Sequence, residues 1–147
     1  MSDSVFLDTN VLVYAIESCG PDPDKTSVAQ LLTRRDDVIL STQVLGEFYR
    51  VVTSPRRLVS LNHEEAVAWV QLWSRHDVRG ISISHVDLAL EIMGRYRINY
   101  YDALIVAAAR LANCETVYSE DLNAGQDYGG VKVVNPFQKG PTLGTLK

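Results

Sequence analysis

The sequence predicts an α/β domain of three layers, with a mostly parallel central sheet flanked by helices. Short apolar runs of strand length alternate with longer stretches whose apolar residues recur at helical spacing, the pattern of strand–helix units. A length of 147 residues suits one domain, and 46% hydrophobic content supplies a core for it. The expected boundaries are residues 1–138 for the domain and 139–147 for a loose tail containing Gly140-Pro141 and Gly144.

Val5-Phe6-Leu7 reads as a buried strand that runs into the polar turn Asp8-Thr9-Asn10 and then a helix starting in Val11-Leu12-Val13. Gly20-Pro21-Asp22-Pro23 breaks the chain. Asp24 is the expected cap of the next helix, whose inward residues are Val28, Leu31 and Leu32. Val38-Ile39-Leu40 is a second strand, followed from Ser41 or Thr42 by a helix to about Thr53, where Ser54-Pro55 ends it. Asn62 and Glu65 match a capping box, and Ala66, Trp69, Val70 and Trp73 share one face of the helix they start. Ile81-Ser82-Ile83 reads as a brief strand. A helix from His85 to Tyr96 then turns Ala89, Ile92, Met93 and Tyr96 inward. The helix from Tyr100 to Ala112 carries a stripe of Leu104, Ile105, Ala108 and Leu111. Thr116-Val117-Tyr118 and Val131-Lys132-Val133-Val134 complete the strands.

Charge alone selects no function. The net charge of −4 comes from 14 basic and 18 acidic residues, and ten of the basic residues are Arg, the better phosphate fork. No apolar run is long enough to cross a bilayer, and the N-terminus shows no secretory pattern, so the expected location is the cytoplasm. Cys19 and Cys114 are unpatterned, which suits thiols in a reducing compartment. His63, His76 and His85 are scattered without zinc spacing, and there is neither a phosphate loop nor a nucleophile elbow.

The acids carry more information. In an open parallel sheet, ligands collect outside the carboxyl ends of the strands. Asp8 directly follows the first strand and Asp121 lies just past Tyr118, so both project at that rim. Either alone could simply cap a helix or complete a turn. Asp102, three residues after Asn99, could likewise serve the helix dipole for ~0.3–1 kcal/mol. Glu47 lies in mid-helix on the margin of an apolar face, where Arg50 or a metal ion could partner it. Together, oxygen-only donors select a hard cation such as Mg²⁺.

Five segments in this order resemble the PIN-domain ribonucleases, and specifically the VapC-type toxins of toxin–antitoxin modules. They are Phe6-Leu7-Asp8-Thr9-Asn10 with the apolar run after it, Ser41-Thr42-Gln43-Val44-Leu45-Gly46-Glu47-Phe48, Tyr100-Tyr101-Asp102-Ala103-Leu104-Ile105, Tyr118-Ser119-Glu120-Asp121-Leu122 and Val134-Asn135-Pro136-Phe137. The resemblance implies a metal-dependent endoribonuclease using Mg²⁺ or Mn²⁺. Asp8, Glu47, Asp102 and Asp121 would be the catalytic and metal-site acids, Asp8 and Asp102 central among them. It implies that Thr9, Asn10 and Ser119 organise the site or meet substrate, and that Asn99 stands where relatives often carry Ser or Thr. Implied partners are an RNA substrate, a cognate antitoxin and a second copy in a homodimer, for which the helix with Trp69 and Trp73 offers apolar surface.

The self-repelling acids should raise at least one carboxylate pKa. Arg34, Arg35, Arg50, Arg56, Arg57, Arg95 and Arg97 are candidate phosphate contacts. Two alternatives are a PIN nuclease of RNA processing or decay outside a toxin module and a catalytically silent binding module. A dehalogenase-type phosphotransferase would need a second Asp at position 10, which is Asn.

Overall fold

Val5–Leu7 (β1) is apolar and buried at every position, as a strand covered on both faces must be, and it forms the centre of the sheet. The computed structural model describes residues 4–16 and 22–138; Cys19, the Gly20-Pro21 break and the tail from 139 lie outside them. Val38–Ser41 (β2) pairs with one side of β1 and Asp77–Arg79 (β3) lies beyond it. Thr116–Tyr118 (β4) pairs with the other side, with Lys132–Val134 (β5) outermost. The order is β3-β2-β1-β4-β5, every pairing is parallel, and the chain reverses its direction across the sheet at β1.

Thr9–Ala15 (α1), Pro23–Thr33 (α2), Thr42–Val52 (α3) and His63–Trp73 (α4) pack successively, α1 on α2 and α3, and α3 on α4. Ile83–Tyr96 (α5) and Tyr100–Leu111 (α6) form a second packed pair. Right-handed crossovers put these two groups on opposite faces once the strand order reverses. Residues Ala103–Ala109 of α6 are all buried, so the helix is covered on every side rather than along a stripe. The Leu111 expected in that stripe is 43% exposed. On α2 the inward residues are Thr26, Ala29, Leu32 and Thr33, while Leu31 is 69% exposed and Val28 only partly buried.

Two local expectations need correction. Asp22, not Asp24, caps α2: its Oδ1 accepts from the Asp24 and Lys25 N–H groups, and Pro23 occupies the first helical position, where its missing donor costs nothing. The third strand is Asp77–Arg79, not Ile81–Ile83; Ser82 instead caps α5. This edge strand is polar, its Asp77 and Arg79 held by a two-pronged ion pair at 2.8 and 2.9 Å, so no apolar run announces it. The Asn62–Glu65 capping box of α4 forms as expected. Trp73 is core, edge-on to Phe48, and only Trp69 of the two tryptophans reaches the surface in part.

Candidate active site

Strand order reverses between β1 and β4, and at such a point the loops leaving neighbouring strands part to open a crevice at their carboxyl ends. Asp8 leaves β1 and Ser119-Glu120-Asp121 leaves β4, so both segments reach this crevice. A cavity of about 390 Å³ opens here, and Asp8, Glu47, Asp102 and Asp121 all line it.

Asp8 caps α1. Its Oδ1 accepts from the Thr9 N–H at 2.7 Å, and its Oδ2 accepts from the Ser119 hydroxyl at 2.7 Å. Capping and cavity lining are therefore one placement, not alternatives. Only 6% exposed, the Asp8 carboxyl is pushed up to about 6, chiefly by burial. The Ser119 and Thr9 hydrogen bonds oppose the rise, while the charges of Asp121 and Glu47 add to it. The expected raised carboxylate is present, with burial as its first cause and repulsion as a lesser one.

Ser119 is wholly buried and organises the β4 end. Besides donating to Asp8, its oxygen accepts from the Asp121 and Leu122 N–H groups at 3.1 and 3.2 Å. Asn10 spans the crevice: its Nδ2 donates to Asp121 Oδ2 at 3.2 Å, and its Oδ1 accepts from the Glu120 N–H at 3.2 Å. Glu47, on α3, accepts from the Thr9 hydroxyl at 3.0 Å; among the described residues it makes no ion pair with Arg50. Asp102, in the first turn of α6, is bound to the cap residue Asn99. Its Oδ2 accepts from Asn99 Nδ2 at 2.7 Å, and its N–H donates to Asn99 Oδ1. Burial raises the Asp102 pKa, Asn99 lowers it and the Asp121 charge raises it. The charge of Asp121 thus acts on both Asp8 and Asp102.

Glu120 differs from its neighbour. Its two carboxylate oxygens accept from the Tyr14 hydroxyl, at 2.6 Å, and the Lys25 ammonium. Although burial pushes the Glu120 pKa up, these two donors bring it below its usual value. It ties α1 and α2 to the end of β4, and its charge is already matched. Of the candidate arginines, Arg50 and Arg57 line the cavity, whereas Arg35 forks onto Asp37. The histidines have local partners: His63 Nδ1 meets the Tyr49 hydroxyl and His85 Nδ1 meets Ser82. Burial lowers the pKa of His76. Sequence reasoning missed Tyr101 in the cavity wall, and Tyr14 and Lys25 as the partners of Glu120. The position of Tyr101 next to Asp102 was a usable signal; the lysine gave none.

Among the described residues, no three His, Cys, Asp or Glu side chains stand close enough to enclose a metal ion by themselves. Mg²⁺ does not require such a cage, since one or two carboxylates suffice when water and phosphate complete its shell. Four carboxylates lining one cavity, hard oxygen donors with Asp8 almost wholly buried among them, fit a hydrated divalent cation of this kind.

The PIN-domain family model matches residues 5–126. No curated protein matches by sequence. Among solved structures, a toxin–antitoxin complex from Klebsiella pneumoniae is similar at a TM-score of 0.65 and 18% identity, covering 90% of this chain and 98% of that one. The sarcin–ricin-loop-cleaving toxin VapC20 of Mycobacterium tuberculosis is similar at 0.64 and 22%, covering 80% and 90%. DNA-bound VapBC from Salmonella typhimurium gives 0.63 and 21%, covering 90% and 97%. At these identities the structures share the fold.

Proposed function

This chain belongs to the PIN-domain family, and from that premise we propose that it is a divalent-metal-dependent endoribonuclease acting as the toxin of a toxin–antitoxin pair. One observation carries the reading: four acids from four separate stretches of sequence line a single cavity at the switch point of the sheet. Similarity to a sarcin–ricin-loop-cleaving toxin and to toxin–antitoxin complexes supports the toxin role.

In this reading Asp8 and Asp102 would hold Mg²⁺ or Mn²⁺, and Asp121 and Glu47 would supply further donors or orient water. A bound ion supplies Lewis acidity, making water nucleophilic near neutral pH and offsetting charge that grows on the phosphate. The remaining work belongs to the chain. Ser119 and the Thr9 N–H fix both oxygens of Asp8, Asn99 fixes Asp102, Asn10 holds Asp121 and Thr9 orients Glu47. Each acid therefore meets substrate with little rotamer freedom left to lose. Arg50 and Arg57 in the same wall neutralise substrate phosphates. Hydrolysis breaks the P–O3′ bond, water adds to phosphorus, and the products carry a 3′-hydroxyl and a 5′-phosphate.

The antitoxin would insert a segment into the cavity and cover the acids. A homodimer in the cytoplasm belongs to the same reading, with the exposed Leu72 and the partly buried Trp69 as surface; light scattering of the purified protein tests it. Among the described residues, no helix is long and apolar enough to cross a membrane.

The test incubates the purified chain with an RNA panel in Mg²⁺, Mn²⁺ or EDTA, beside Asp102→Asn. Cleavage should require metal and disappear in the variant, with circular dichroism unchanged. A folded Asp102→Asn protein that cuts at the normal rate refutes the assignment. Growth arrest on expression, relieved by a small open reading frame immediately upstream, tests the toxin role.

A further inference from the structure

Beside the acid cavity lies a second hollow of about 340 Å³, and the two share Glu47, Arg50 and Tyr101 in their walls. Thr42, Gln43 and Gly46 complete its lining from the first two turns of α3. A Cβ built on Gly46 would meet nothing within 4 Å, so the helix surface is bare where the hollow sits. Tyr101 is 63% exposed, an unusual place for so large an aromatic side chain, and its ring stands edge-on to Tyr100 at 5.2 Å. The Gln43 side chain pins this wall by donating from Nε2 to the Tyr101 carbonyl at 3.2 Å. Gln43 Oε1 is out of contact with solvent and has no hydrogen-bond partner among the described residues. A donor that reaches it must displace its present cover. Arg50, exposed and in no ion pair among the described residues, stands where the two hollows meet.

An exposed aromatic face, an amide with an unmet acceptor and a guanidinium at the boundary form a set that suits one unpaired nucleotide. We propose that this hollow is a nucleobase subsite for single-stranded RNA. One base stacks on Tyr101 and offers an N–H to Gln43, and Arg50 holds the phosphate linking that nucleotide to the one over the acids. The inference rests on the proposed ribonuclease reading and adds to it a requirement for an unpaired base beside the cut. Duplex RNA cannot enter, because a paired base presents neither a free face nor a free Watson–Crick edge.

The test uses fluorescein-labelled oligoribonucleotides of mixed sequence, with EDTA to prevent turnover and anisotropy to read affinity. Tyr101→Ala should weaken binding about 5- to 150-fold, the range that loss of one stacked base gives, while Tyr101→Phe keeps it. Gly46→Leu, which fills the hollow and favours the helix, should reproduce the loss with the ring still present. Arg50→Gln should lower the slope of log affinity against log salt by about 0.7, the value of one phosphate on a single strand. An abasic position moved along the RNA should weaken wild-type binding at one place and add nothing in Tyr101→Ala. Equal affinities for Tyr101→Ala and wild type, or equal abasic losses in both, overturn the subsite and leave the hollow to a protein segment. Wild-type protein that neither binds nor cuts any RNA overturns the subsite and the proposed function together; RNA cleavage with an unaffected Tyr101→Ala overturns the subsite alone.

Discussion

Replacing Asp8 by Asn should make the metal-free protein more stable while abolishing its activity. Burial holds the Asp8 carboxyl at about 6 against an ordinary 3.8, which corresponds to a penalty of about 3 kcal/mol on the ionised form. Below pH 3.8 the group is protonated whether the chain is folded or not, and no penalty arises. Between 3.8 and 6 the unfolded chain ionises first, so stability falls as pH rises; above 6 the full cost stands. Asn avoids it and can keep the Thr9 N–H on its own oxygen. Its amide then crowds the Ser119 oxygen, which already accepts two backbone N–H groups. Allowing for that loss, the net gain is about 2 kcal/mol at pH 7.5, or roughly 4–8 °C in Tm for a domain near 150 residues. Calorimetry in EDTA from pH 4 to pH 8 should show the two proteins converging at the acid end and separating as pH rises. Added Mg²⁺ should raise the Tm of the wild type and leave Asp8→Asn unmoved. An Asp8→Asn protein less stable than wild type at pH 7.5, or a gap that ignores pH, would refute the reasoning.

Other consequences follow from individual contacts. Ser119→Ala removes the hydroxyl donor to Asp8 and leaves two backbone N–H groups without their acceptor. It should cost about 1–3 kcal/mol of stability and drive the Asp8 pKa higher, measured by denaturant titration at several pH values. Its cleavage rate should fall about 10- to 100-fold, as for groups that orient metal ligands. Glu120→Gln should keep cleavage and lose at most about 1 kcal/mol with the Lys25 pair, whereas Asp121→Asn should lose cleavage; equal activity loss in both would overturn the division of roles. Burial pushes the Cys114 thiol up from 9.0 to about 11, so at pH 8 its thiolate population falls about 100-fold. In a Cys19→Ser background, alkylation should be correspondingly slow until the protein unfolds; rapid labelling of the native protein contradicts its burial.

The sequence made the site more legible than some of the scaffold. Asp8, Asp102 and Asp121 each stand within three residues of a strand or helix end, so local signals locate them and a parallel sheet collects them. Glu47 was legible through discomfort: a charge on an apolar margin needs a partner, and the structure supplies Thr9 instead of Arg50. The resemblance favours Asp121 over Glu120 as the last position of its segment, but what occupies Glu120 was not legible, because its partner Lys25 lies 95 positions away and announces nothing. The misplaced third strand has the same origin, since an edge strand that buries almost nothing leaves no hydrophobic trace. Leu31 and Leu111 show the converse error: both fit a helical period, yet depth in a three-layer fold is set by which neighbours arrive.

The two outer strands bear on how copies of this molecule can meet. A sheet margin with free amides and carbonyls invites a second sheet to continue it. On one side, β3 presents Asp77 and Arg79 locked to each other. On the other, Asp127 folds back to bridge Lys132 in the antiparallel sense and occupies part of the β5 margin. Both sides are thereby poor templates for strand addition, which favours helix surfaces for any self-association and disfavours fibrous stacking of sheets.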